Sequence, residues 1–245
     1  MRYFGGKNRI SHYLEKVINP IANKRGSYIE PFVGGGSVLS RIKCPVRVAS
    51  DINVSLINMW IALSEGWIPP KTLSEQEYDE LKEKKDPENP LTAFAGFGTS
   101  YAGKWFGGYA RSDERNYAGN ASSSLLKKLV TMKGVIWSSG NYIECPITPR
   151  AVIYCDPPYH GTTGYAGIPE FDWEEFWEWC RDKSKKGYVV LISEYKAPND
   201  FKAIIEIPTK TDISGDARTE KLFIHESLNI FYLKRIRKRY GGLNG

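Results

Sequence analysis

Along residues 10–21 the apolar side chains Ile10, Leu14, Val17, Ile18 and Ile21 recur at the spacing of a helical stripe, and Pro20, Asn23 and Gly26 are expected to break it. The short run Ser27-Tyr28-Ile29-Glu30 reads as a strand stopped by Pro31. Phe32-Val33-Gly34-Gly35-Gly36-Ser37 then reads as a glycine-rich turn, with a helix through Val38, Leu39 and Ile42. A second strand is predicted from Val46 to Ser50, ending at Asp51, and helical spacing resumes at Ile52, Leu56, Met59, Trp60 and Leu63. This alternation predicts an α/β fold with a doubly wound, mostly parallel sheet.

Between Gly66 and Lys133 the pattern stops. That stretch holds Pro69-Pro70, a charged helix opened by the capping box Ser74-x-x-Glu77, and a segment dense in glycine, aromatic residues and arginine. Alternation returns with a strand at Val135-Ile136-Trp137, another from Ala151 to Cys155, a helix capped by Asp172-x-x-Glu175, and the buried strand Tyr188 to Ile192. The runs around Ile204 and from Leu228 to Leu233 read as a closing hairpin or strand pair. One α/β domain, residues 1–65 and 134–245, is thus expected to carry an insert at 66–133.

Composition changes this picture little. With 245 residues, 41% of them hydrophobic and 25% charged, the chain has the make-up of a globular protein with one large core. No apolar run is long enough to span a bilayer and the N-terminus lacks a signal-like stretch, so the expected address is cytoplasmic, with no membrane partner. Four cysteines without a C-x-x-C pair and only three histidines argue against a metal site or a disulfide framework. The net charge of +6 is compatible with a polyanionic partner.

Two strand ends carry candidate chemistry. A strand feeding a glycine-rich turn suits a nucleotide-like ligand, because glycines allow close approach and positive φ. Asp51, about twenty residues further on, stands where an acid takes ribose hydroxyls; its alternative role is the N-cap of the next helix. At the other strand end, Asp156 is followed by Pro157 and Pro158. Proline has no N–H and holds the preceding residue extended, so a carboxylate and a fixed carbonyl form two acceptors for an –NH₂ group, with Tyr159 as a stacking face.

Four segments in this order, Tyr3-Phe4-Gly5-Gly6-Lys7, Ile29 to Val38, Ser50-Asp51-Ile52-Asn53 and Asp156-Pro157-Pro158-Tyr159, resemble the Dam-type DNA adenine N6-methyltransferases. The resemblance implies a Rossmann-like methyltransferase sheet, an inserted target-recognition domain, S-adenosylmethionine as cofactor, and double-stranded DNA with a flipped-out adenine as substrate. It implies cofactor contacts at Tyr3, Lys7, Phe32, Gly34, Gly36, Asp51 and Asp156, and a catalytic role for Asp156, Pro157 and Tyr159. Lys7 is alternatively a surface lysine. The family often shows Ser-Asn after the strand at 189–192, whereas this chain has Ser193-Glu194.

Within the insert, Lys104, Trp105, Tyr109, Arg111, Arg115 and Asn116 are of the types that contact phosphates, base edges or stacked bases, with Tyr117 beside them. A surface loop over a small core is the alternative. Rival readings are a methyltransferase acting on cytosine N4, RNA or a protein amide, and a cofactor-free DNA-binding protein. A partner endonuclease is left open.

Overall fold

The computed structural model describes residues 1–159, 171–210 and 217–228. Its seven strands are β1 (Ser27–Glu30), β2 (Val46–Asp51), β3 (Ile136–Ser139), β4 (Val152–Cys155), β5 (Val189–Glu194), β6 (Phe201–Lys210) and β7 (Ala217–His225). They form one sheet in the order β3-β2-β1-β4-β5-β7-β6. The order reverses between β1 and β4, the switch point outside which α/β sheets bind ligands. Every residue of β1, β4 and β5 is buried, as expected of parallel strands covered on both faces.

By contacts the described chain divides into two compact units. One comprises His12–Phe32, Ile42–Arg47 and the described residues from Ile147 onward. In it β1 pairs parallel with β4 (Tyr28 opposite Val152) and β4 with β5 (Cys155 opposite Ile192), while β7 runs antiparallel to both β5 and β6. The closing hairpin therefore exists, but its second strand is β7, upstream of the run expected at 228–233; residues 229–233 and the basic tail lie outside the described residues. Helix α1 (Ser11–Arg25) continues through Pro20. Leu14, Val17, Ile18, Ile21 and Ala22 form one buried stripe across the exposed proline, and that burial outweighs the lost hydrogen bond. The helix ends instead at Gly26, whose φ of 80° is the left-handed cap conformation.

The other unit comprises Met1–Ser11, Val33–Arg41 and Val48–Pro146. Here β2 pairs parallel with β3, Asp51 opposite Ser139. Helix α2 (Val54–Ser64) buries Leu56, Met59, Trp60 and Leu63, and Trp60 stacks on Trp137 of β3 at 5.5 Å. The helix expected after the glycine turn is only a 3₁₀ turn, Leu39–Arg41. Arg41 N already bonds back three residues to the Val38 carbonyl, and Pro45 closes off any extension. Between α2 and β3 lie α3 (Glu75–Lys84), with the expected capping box, α4 (Pro90–Ala93), a π-helical turn at Phe94–Gly98, and α5 (Tyr117–Leu129). Tyr78, Phe94, Phe97 and Phe106 are buried there. A Cβ at Gly96 would lie 2.5 Å from the Trp105 ring, so glycine is what admits that indole.

Candidate active site

The polar end of β2 is built from backbone donors. Asp51 is 7% exposed; its Oδ2 accepts from Gly34 N at 2.9 Å and its Oδ1 from Asn53 N at 3.0 Å. Burial pushes its carboxyl up to about 6 against the opposing pull of the Asn53 and Gly34 hydrogen bonds. Each carboxylate oxygen keeps a second lone pair, so two hydroxyl donors fit without displacing the protein's own bonds. Asp51 is not the helix cap. Asn53 caps α2, its side chain accepting from Leu56 N at 3.0 Å.

The glycine turn is held from both sides. Gly34 and Gly36 have φ of 47° and 62°, and a Cβ at Gly34 would lie 2.7 Å from Tyr3 Cε1. The ring of Tyr3 therefore lies against the turn, itself packed on Phe97 at 4.7 Å. Trp60 Nε1 donates to the Gly34 carbonyl at 3.2 Å, and Lys128 Nζ donates to the Gly35 carbonyl at 2.5 Å. Neither Trp60 nor Lys128 was singled out from sequence, because a helix residue's reach to a distant turn leaves no local pattern. Lys7 is 6% exposed, with Nζ donating to the Gly5 carbonyl at 3.2 Å, so it is a buried cation and not a surface lysine.

In the other unit, β1 ends in Glu30, and Asp156 directly follows Cys155, the last residue of the neighbouring strand β4. Glu30 is 2% exposed and accepts from the Tyr28 hydroxyl at 2.7 Å. Asp156 is half-buried and Pro157 buried. The Tyr159 ring stands 4.6 Å from that of Tyr195, and burial, then Asp156 and Glu220, push its hydroxyl well above the usual phenol range. Phe32 packs edge-on to Phe171 and Phe176 at 6.0 and 5.9 Å. Glu194 is buried at the end of β5, its Oε2 accepting from Tyr195 N at 2.9 Å. Glu30, Glu220 and Tyr195 were not foreseen as neighbours of this turn; an acid closing β1 was the one available hint.

The candidate residues between α2 and β3 divide by what already engages them. Tyr109 donates to the Leu73 carbonyl at 2.6 Å, and Trp105 packs between Phe97 and Phe106. Asn116 caps α5, accepting from Gly119 N and donating to the Lys71 carbonyl, so both ends of its amide are occupied. Arg111 forms a bidentate ion pair with Glu75. Lys104 is exposed over the Phe4 ring at 4.9 Å, Arg115 is exposed, and Arg2 lies 5.0 Å over the ring of Tyr117. Among the described residues no His, Cys, Asp and Glu side chains gather into a group that could hold a metal, and no helix is long and apolar enough to cross a membrane.

Residues 3–94 match the family model of D12 class N6 adenine-specific DNA methyltransferases. A DNA N-6-adenine-methyltransferase of Escherichia phage P1 is 26% identical over 235 residues, covering 81% of this chain; the chain spans only 30% of that relative. A candidate methylase from Haemophilus influenzae and a candidate methyltransferase from Escherichia coli align over 89% of this chain and 88% and 85% of theirs, at 10% and 14% identity. Their TM-score of 0.36 adds nothing to the strand order. The family match covers the Tyr3, glycine-turn and Asp51 segments; there, and more distantly along the stretch aligned with the phage enzyme, the chain is similar to N6 adenine-specific DNA methyltransferases.

Proposed function

We propose that the protein transfers a methyl group from S-adenosylmethionine to the N6 amino group of an adenine flipped out of duplex DNA. The observation that carries this reading is the Asp156-Pro157-Pro158-Tyr159 turn at the end of the fully buried strand β4. Asp51 suits the ribose hydroxyls of the cofactor, the buried Lys7 its carboxylate, and Tyr3, Gly34 and Gly36 the surface along which it lies; Phe32 is proposed as a further cofactor contact on the family resemblance. When bound, S-adenosylmethionine supplies a methyl group already activated for transfer.

The remaining chemistry belongs to the chain. An adenine amino nitrogen is a poor nucleophile because its lone pair is delocalised into the ring. Asp156 and the Pro157 carbonyl accept its two hydrogens, which favours a pyramidal nitrogen with a directed lone pair. The Tyr159 ring stacks on the extruded base and offsets part of the few kcal/mol that unstacking costs. The methylated nitrogen is cationic and sheds a proton readily, so no strongly tuned base is required. Residues 66–133 are proposed as the target-recognition insert, with the exposed Lys104 and Arg115 best placed to touch DNA, and Trp105, Tyr109, Arg111 and Asn116 supporting them through their contacts within the insert.

Transfer of tritium from labelled cofactor to mixed-sequence duplex DNA, followed by digestion to nucleosides, tests the proposal. Label in adenine alone is expected. Label confined to cytosine, or no transfer to DNA, overturns it.

A further inference from the structure

The unit containing the glycine turn carries a groove of about 550 Å³ whose lining includes neither Asp51 nor Tyr3. Its lining includes three cations, Arg41, Lys127 and Lys128, together with hydroxyl and carboxamide side chains, and no carboxylate. The polar wall is one face of α5. The Ser123-Ser124 and Lys127-Lys128 pairs lie one helical turn apart, while Ala118, Ala121 and Leu125 of the same helix are buried. Neutral oxygens orient two of the cations. Arg41 Nε donates to Ser11 Oγ at 2.9 Å, and Lys128 Nζ reaches Ser37 Oγ at 3.3 Å as well as the Gly35 carbonyl.

We propose that this groove binds the phosphodiester backbone of duplex DNA. Guanidinium, ammonium and hydroxyl groups are all donors, and phosphate oxygens only accept, so the lining matches that ligand at every position named. The groove is larger than a single phosphate needs, which favours an extended polyanion. A contact of this kind carries no base information; it sets the register of the protein on the duplex. None of the residues assigned to cofactor lines the groove, yet Lys128 bridges its wall to the glycine turn, so backbone binding and the cofactor surface share one side chain. The inference rests on the reading of duplex DNA as substrate.

Salt-dependent binding of a short duplex, followed by fluorescence anisotropy, tests it in wild type, Lys127→Gln and Ser123→Asp. Both positions are exposed, so folding is expected to survive and is checked by thermal melt. Lys127→Gln should flatten the slope of log K against log salt by about 0.9, and both variants should weaken all sequences alike. Slopes and affinities equal to wild type in both variants overturn the site, while adenine methylation by the wild type would leave the proposed function standing. A flattened slope in an enzyme that methylates no adenine would do the reverse. Inorganic pyrophosphate is the control ligand, followed by ³¹P shifts: if Lys127→Gln abolishes its binding without altering duplex binding, the groove serves a free phosphate compound and the backbone assignment fails.

Discussion

Asp51 and Asp156 stand at the same place in the sheet, each at the carboxyl end of a parallel strand, and differ in their next two residues. After Asp51 come Ile52 and Asn53, and the Asn53 N–H returns to bond the carboxylate, as does that of Gly34. After Asp156 come two prolines, which have no N–H to return. The first acid is desolvated and fixed by the backbone, suited to hold neutral hydroxyls. The second is half-buried and followed by a carbonyl whose residue has no N–H, suited to accept from an amine whose geometry must change. Identical residue and fold position thus acquire different chemistry from two neighbouring residues.

Removing Asp156 should widen the contrast most. Asp156→Ala is expected to lower single-turnover methyl transfer about a hundredfold or more at saturating DNA and cofactor, with cofactor affinity far less affected. A folded variant transferring at near wild-type rate would erase the distinction between the two acids.

Asp51→Ala should show the opposite profile, weakening cofactor binding in calorimetry by roughly 1.5–3 kcal/mol for each hydroxyl bond lost. Unchanged affinity would leave Asp51 a purely structural brace for the glycine turn.

The raised carboxyl of Asp51 sharpens the comparison through pH. Ribose hydroxyls donate to the ionised form, so cofactor affinity should fall as pH drops through about 6, and Asp51→Asn should abolish that dependence. For the cofactor-free protein the sign reverses. A carboxyl whose folded pKa lies above its ordinary 3.8 binds more protons folded than unfolded, so stability should decline as pH rises from about 4 to about 6 and then level off. Denaturant melts of wild type and Asp51→Asn across that window check it.

Asn53→Ala gives the smallest effect. Loss of the α2 cap should cost about 1 kcal/mol of stability in denaturant melts, while the variant keeps the backbone N–H that reaches Asp51, leaving cofactor affinity unchanged. A parallel loss of both would mean that cap and cofactor acid are one device.

What the sequence determined by itself was whatever depends on neighbours along the chain. Strands β1, β4 and β5 are legible as short apolar runs because both their faces are buried. Gly34 and Gly36, the Ser74 capping box, the Asp172 cap, and the acids at two strand ends are legible because a turn or cap draws on residues within a few positions. Tertiary structure decided the rest. Burial of Ile21 and Ala22 carries α1 past Pro20, and Pro45 with the tight turn at Arg41 leaves no helix after the glycines. Tyr109 and Asn116 have the chemistry of DNA readers in sequence but are engaged by the Leu73 and Lys71 carbonyls in the fold. Lys128 meets Gly35 across 93 residues, a contact that no local period encodes, because it exists only once α5 is packed beside the turn.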